Sequence, residues 1–252
     1  MGLSKPFIDL DNLVDIERFK SLEDDMMEGI ARSHKKFPFF YGPGCITEPQ
    51  FADKVCHLGD AFLDIEKQPE YAALKKKLTH AQLREYLGLR YRSISYSYVV
   101  SLREGVSGGY DGISDAKHTS ETPNYKFFPR VREFIESLPF KEIGRIEIFL
   151  SPSSVVGQLH SDGVASVRQR MLHEFIWIRS NLDKNFYVLD EKTNTRKYIT
   201  SYSAFFDSLV PHGSDPTPFQ TFSLRVDGHF TDEFRAAVAK LDAQPEPQSI
   251  SP

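Results

Sequence analysis

From residue 144 onward the chain alternates short apolar runs with turn residues, and this rhythm restricts the fold more than any other feature. The runs cover 145–150, 155–160, 170–179, 185–190, 195–200, 204–210 and 219–227, with Pro152, Asn181-Leu-Asp183, Thr193-Asn194 and Gly213-Ser-Asp-Pro216 between them. Segments this short are strand-length, and turns at this interval belong to a sandwich or jelly roll. The aromatic share is high, with 20 Phe and 11 Tyr, which suits a β-rich interior or an aromatic-lined cavity. A closing helix is expected over 231–241, with Thr231 as its N-cap and Asp232 and Glu233 in its first turn.

The first ninety residues read differently. Leu13, Ile16, Phe19, Leu22, Met26 and Ile30 recur at three- and four-residue intervals, which predicts a helix over 11–36. The run Phe37-Pro-Phe-Phe-Tyr-Gly-Pro-Gly44 stops it, and further helices are expected over 48–67 and 71–87, the latter ending at Gly88. At 91–100, Ile94, Tyr96 and Tyr98 alternate with serines, the period-2 pattern of a half-buried strand. A polar, glycine-containing loop over 103–124 and a helix over 129–138 lead into the β run. The expectation is one domain over 1–242, mainly β with flanking helices. It comprises a helical N-terminal part (1–90), a β core (91–228) and a C-terminal helix (229–242), before a disordered tail at 243–252.

Bulk properties exclude several classes of function. A net charge of −4 and a pI near 6.1 argue against nucleic acid as a partner, since phosphate backbones need a basic surface. No apolar run approaches the roughly 20 residues that cross a bilayer. Cys45 and Cys56 are the only cysteines, too few for a disulfide scaffold and without zinc-motif spacing. The N-terminus lacks an apolar signal core, and Pro6 stands where a myristoylation signal needs Ser or Thr. These features point to a cytoplasmic location and to neither nucleic acid nor membrane as a partner, which leaves a small-molecule partner open.

His160-Ser-Asp162 is the feature with chemical content. Residues i and i+2 of a strand face the same way, so this pair can offer an imidazole and a carboxylate to one point. His212, at the end of a returning strand, can supply a third donor. Two histidines and one carboxylate leave three positions open on an octahedral metal and suit non-haem Fe(II). Arg225 follows on the next strand. Its planar fork can match the far carboxylate of a dicarboxylate bound at the metal, and Ser223 shares its strand face. A His-x-Asp arises readily by chance in a chain with 8 histidines. The order of strand, His-x-Asp, several strands, His and Arg-bearing strand is what makes it a site.

The run Arg145-Ile-Glu-Ile-Phe-Leu-Ser-Pro-Ser-Ser-Val-Val-Gly-Gln-Leu-His160-Ser-Asp162 resembles the core of the aspartyl/asparaginyl β-hydroxylase-like 2-oxoglutarate oxygenases, a group that includes bacterial proline hydroxylases. Arg170-Met-Leu-His173-Glu-Phe-Ile-Trp177 resembles the following strand, and Pro211-His212 with the strand bearing Arg225 and Asp227 completes the likeness over 144–228. Two departures stand out: Tyr202-Ser-Ala-Phe-Phe-Asp207 replaces a frequent Gly-Glu turn, and Arg170 to His173 is one residue longer than the usual Arg-x-His. The resemblance implies a double-stranded β-helix, a cupin-like jelly roll, using Fe(II), 2-oxoglutarate and O2. It makes His160, Asp162 and His212 the iron ligands and Arg225 the 2-oxoglutarate anchor. The implied activity is hydroxylation of a C–H bond in a free amino acid or small amino-acid-derived metabolite. A residue within a peptide or protein is the alternative substrate. A reading of another class is a non-catalytic β-barrel binding protein whose triad is accidental.

Other residues have both a functional and a plain structural reading. His173, Phe175, Trp177 and Arg179 share one strand face. His173 is expected near the cosubstrate, and Trp177 is expected either in the substrate pocket or in the core. Arg92, Tyr96 and Tyr98 could rim a polar substrate or form ordinary cross-strand pairs. The 103–124 loop could close over the site. His229 is read as a surface or structural residue rather than a ligand, and His34, His57, His80 and His118 carry no spacing signal.

Overall fold

The computed structural model describes residues 3–33, 63–91, 98–151, 157–162, 172–182, 185–190, 193–215 and 221–244. Before the main β run come β1 (Phe7–Asp9), β2 (Tyr98–Gly105) and β3 (Thr119–Glu121). The run itself consists of β4 (Phe140–Ser151), β5 (Gly157–His160), β6 (Glu174–Arg179), β7 (Phe186–Asp190), β8 (Thr195–Tyr198), β9 (Ser203–Phe206), β10 (His212–Ser214) and β11 (Thr221–Phe230). They form a 7-stranded sheet of order β1-β9-β6-β11-β4-β2-β3 and a 4-stranded sheet of order β5-β10-β7-β8. All the strand pairings are antiparallel. From β4 to β11 the chain divides its strands equally between the two sheets, which is the expected double-stranded β-helix.

Strand parity sorts the large sheet. Ile146, Ile148, Leu150, Ile176, Ile178, Leu224 and Val226 are fully buried and share one hydrophobic cluster with Leu22, Met26, Ile30, Leu83 and Leu87 of the N-terminal helices. The intervening positions Phe149, Trp177, Arg179, Ser223 and Arg225 line a cavity instead. One sheet face is thus given to packing and the other to chemistry.

The helices are α1 (Ile16–Lys20), α2 (Glu23–Arg32), α3 (Tyr71–Leu74), α4 (His80–Arg90), α5 (Pro129–Glu136) and α6 (Asp232–Ala243). The helix expected over 11–36 is two, because the backbone turns at Ser21-Leu22, where the Ser21 hydroxyl donates back to the Arg18 carbonyl. The helix expected over 71–87 also divides. Thr79 and Gln82 form a capping box that starts α4 afresh. Gly88 does not end α4, since Leu89 buries beyond it and Arg90 pairs with Asp24 and Glu70. Of the stretch expected helical over 48–67, residues 48–62 lie outside the described residues, and Ile65–Lys67 is a single 3₁₀ turn. At the C-terminus Thr231 caps α6 as expected, accepting from the Phe234 amide.

The β segments also depart from expectation in places. β1, unforeseen in the sequence, pairs with β9, and the Asp11 carboxylate beside it accepts from the Tyr202 and Ser203 amides at 3.0 and 2.7 Å. The strand expected at 91–100 extends to Gly105, with 92–97 outside the described residues. The expected 103–124 loop is therefore shorter. Its ends pair as β2 and β3, and two 3₁₀ turns, Gly109–Gly112 and Ala116–His118, occupy the middle. The strand expected to reach residue 210 stops at Phe206, because Asp207 turns the chain by accepting from the Leu209 amide. That turn feeds the unforeseen β10. The tail at 245–252 lies outside the described residues, and Ala243 closes α6. No helix among the described residues is long and apolar enough to cross a membrane.

Candidate metal and anion site

β5 ends at His160, β10 begins at His212, and the register of the small sheet sets these two residues opposite each other. Their ring centroids are 4.4 Å apart. Asp162 follows β5 by two residues and is held by its own amide, which donates to the Ser208 carbonyl at 2.9 Å. Asp162 Oδ1 lies 3.6 Å from His160 Nε2 and 3.8 Å from His212 Nε2. The three ligand atoms fall within 4.8 Å of one another. These separations are too long for hydrogen bonds and short enough for one ion to bridge.

Protonation states favour a metal. His212 Nδ1 stands 2.9 Å from the Val210 carbonyl and is assigned as the protonated nitrogen, which leaves the Nε2 lone pair facing Asp162. Burial pushes the His212 imidazole down to about 4, so it is neutral at pH 7. Burial alone would raise the Asp162 carboxyl. The Arg225 guanidinium, helped by His212, outweighs burial and holds the carboxyl well below the usual carboxylate range. A neutral imidazole and an ionised carboxylate are the forms that ligate, and the donor set fits Fe(II).

Behind Asp162 runs a buried chain of alternating charge. Arg225 Nη1 donates to Asp162 Oδ2 at 2.7 Å, which leaves Oδ1 to the imidazoles. Arg225 Nε and Nη2 both reach Asp227 Oδ1, at 3.0 and 2.9 Å. Asp227 Oδ2 accepts from Arg145 Nε at 3.0 Å, and Arg145 Nη1 meets Glu147 at 3.2 Å. Asp227 is fully buried and Arg225 nearly so, with the Phe175 ring 4.1 Å from the Arg225 guanidinium carbon. Buried charges of this kind persist only when paired. Arg225, read from sequence as the cosubstrate anchor, is here engaged by two carboxylates of the chain itself.

The ligands border a cavity of about 110 Å³ whose wall also includes Trp177, Arg179, Phe186, Thr221 and Ser223. Trp177 stacks on Phe186 with centroids 4.8 Å apart. Arg179 is 2% exposed and is fixed by donating from Nε to the Ser201 carbonyl and from Nη2 to the Ile199 carbonyl, both at 2.8 Å. Its register partner is Ser223. In the sequence, Arg179 is marked only by the strand face it shares with Trp177, a signal that assigns it no role. His173 precedes β6 and is not among the residues lining the cavity. Arg92 and Tyr96, with Arg170, lie outside the described residues. The Tyr98 backbone pairs with Leu150 in β2, and its side chain is outside the description.

No family model matches the chain, and none of the curated proteins matches it. Among solved structures it is similar to an oxidoreductase of the 2OG-Fe(II) oxygenase family from Burkholderia pseudomallei, with 13% identity over 52% of this chain and 67% of that one and a TM-score of 0.35. It is also similar to a Pseudomonas putida prolyl-4-hydroxylase, at 12% identity, 54% and 72% coverage and a TM-score of 0.30. A third similar structure is a prolyl hydroxylase from Trichoplax adhaerens in complex with a hypoxia inducible factor oxygen degradation domain peptide fragment. It matches at 10% identity, 88% and 94% coverage and a TM-score of 0.30.

Proposed function

We propose that this chain is an Fe(II)- and 2-oxoglutarate-dependent oxygenase that hydroxylates a C–H bond of a free amino acid or small amino-acid-derived metabolite. The observation that carries the reading is the convergence of His160 Nε2, Asp162 Oδ1 and His212 Nε2 on the wall of a cavity that also contains a buried arginine. Iron, 2-oxoglutarate and O2, when bound, supply the oxidising chemistry that no side chain can. The chain supplies geometry, charge and exclusion of water.

Arg179 is the residue we assign to the distal carboxylate of 2-oxoglutarate. A dicarboxylate that grips the metal by its keto-acid end needs its cation several bonds away from the ligands. Arg225 touches Asp162 directly. Arg179 lies two residues beyond Trp177, the register partner of Arg225, a displacement of about 7 Å along the sheet. Ser223 offers a hydroxyl beside it. Arg225 then acts as a positioning residue that fixes which Asp162 oxygen faces the metal. The Trp177 and Phe186 rings wall the cavity and keep water from the reacting atoms.

Hydroxylation of a residue in a peptide is the second reading. It is favoured by the His160 side chain, 42% exposed, which leaves one side of the ligand set open. A substrate screen that follows product mass separates the two. Anaerobic titration with Fe(II) and 2-oxoglutarate tests the class itself. A weak visible charge-transfer band is expected, and a chain that retains no iron and shows no band is a binding protein rather than an oxygenase. Replacement of Arg179 by Met should raise the Kd for 2-oxoglutarate about a hundredfold, in line with loss of a buried charged pair, while iron binding persists. Equal Kd values would return the anchor to Arg225.

A further inference from the structure

A second group of ligand-type side chains lies at the other end of the β4–β11 pair, about 20 Å along β11 from Ser223. His229 and Glu142 are register partners there. The 106–118 segment brings Asp115 onto them. Asp115 Oδ1 is 2.7 Å from His229 Nε2, and Asp115 Oδ2 is 3.8 Å from His118 Nε2. Glu142 Oε1 accepts from the Ala116 amide at 2.5 Å, and ligand atoms of Asp115, Glu142 and His229 lie within 4.8 Å of one another. His118 Nδ1 is 2.9 Å from the Ser107 hydroxyl, a bond that turns the Nε2 of this imidazole towards Asp115.

The segment is built to hold this position. A Cβ on Gly144 would run into the Ile113 carbonyl oxygen, and one on Gly112 would meet the Ser107 carbonyl and the His118 side chain. Only glycine at these two places lets the segment lie against β4. The Arg145 amide donates to the Ile113 carbonyl at 2.7 Å, and the Val106 amide to the His118 carbonyl at 2.8 Å. Ligand atoms of one imidazole and two carboxylates, each side chain partly exposed, are thus gathered before any ion arrives, and the His118 imidazole adjoins them through the other oxygen of Asp115.

We propose that Asp115, His118, Glu142 and His229 form a second divalent-metal site, of zinc type, that clamps the 106–118 segment to β4 and β11. Mixed imidazole and carboxylate donors in a four-residue set match Zn2+, whereas Mg2+ and Ca2+ require shells of oxygen. The ion replaces the His229–Asp115 hydrogen bond and displaces the proton it shares. The site is independent of the iron reading.

The test uses the full chain stripped of metal, with Zn2+ as the only probe. Bound zinc is counted after equilibrium dialysis, and amide exchange is followed over 106–118. A His160→Ala/His212→Ala chain should retain one zinc, lose it when His118→Ala and His229→Ala are added, and show at least tenfold slower exchange in 106–118 with zinc. No retained zinc, zinc that survives the second pair of substitutions, or unchanged exchange overturns the proposal. If the first double variant fails to fold, wild type is compared with His118→Ala/His229→Ala. Wild type must then bind one zinc more, and equal counts overturn the site. A wild-type chain that binds a single zinc, lost only in the second double variant, upholds this site and removes the triad.

Discussion

Asp162 is the residue on which the balance of charge at the proposed iron site turns. One of its oxygens faces two imidazoles and the other accepts from Arg225, which is itself held by Asp227. Arg225→Met removes the cation between the fully buried Asp227 and the part-buried Asp162, and breaking a buried pair costs about 3–5 kcal/mol. Urea denaturation of the metal-free chain should show a loss of that size, and an unchanged midpoint would mean the charge chain is not structural. His212 gives the site a pH dependence. The unfolded chain takes up a proton there near 6.5 and the folded chain only at about 4. Between those values the unfolded state carries more protons, so stability falls as the pH drops. The full effect, about 3 kcal/mol, is reached below pH 4 and is absent above pH 6.5. The lowered Asp162 carboxyl adds a loss only below the ordinary carboxylate range. Replacing His212 with Gln should remove the component between pH 6.5 and 4 in urea titrations of the metal-free chain. The convergence of the triad was legible in sequence because the His-x-Asp spacing keeps His160 and Asp162 close, although Asp162 lies beyond β5 and is placed by its amide bond to the Ser208 carbonyl rather than by strand parity. The engagement of Arg225 was not, because it depends on which of several carboxylates wins the guanidinium in three dimensions.

At the scale of elements, the alternating runs after residue 144 gave the strands their place because burial on one face imposes a period of two. Their ends were less legible. Asp207 and Thr79 redirect the chain through single side-chain hydrogen bonds, a signal that hydrophobic periodicity does not carry. The 103–124 stretch read as a loop because its glycines and polar residues lack period. In the structure, backbone pairing of β2 with β3 orders its ends, and close approach at Gly144 anchors its middle. Gly144→Ala should therefore cost about 1–3 kcal/mol, as overpacking does. Because the Cβ meets a backbone carbonyl rather than a flexible side chain, the 106–118 segment has to move. Amide exchange there should quicken while exchange in β6 and β11 stays protected. Unchanged exchange in 106–118 would show that the contact is not what holds the segment.

For the whole molecule, the two chain ends close the large sheet together. β1 adds to β9 at one edge, and the Ser4 amide and hydroxyl reach Asp242 near the end of α6, the hydroxyl donating to the Asp242 carbonyl at 2.7 Å. A three-residue strand whose partner lies about two hundred residues away leaves no periodic trace in sequence. The α6 helix was legible through its cap and acidic first turn, but what it covers was not. Phe234 and Val238 of α6 are buried, and Phe234 packs edge-on against Phe230 at 4.8 Å. Ending the chain at Thr231 deletes α6 and with it the burial of Phe234 and Val238, at about 1.5–3 kcal/mol each, uncovers Phe230 and frees the edge strand the helix braces. A total of about 3–6 kcal/mol is a large part of the 5–15 kcal/mol typical of a domain. The shortened chain should therefore unfold in urea at a midpoint at least about a fifth lower. Because β1 and β9 belong to the same sheet as β6, β11 and β4, the loss should also appear as one transition, with iron affinity and tertiary circular dichroism falling together. Separate transitions for the sheet edge and the proposed iron site would show instead that the clasp stabilises only its own corner of the fold.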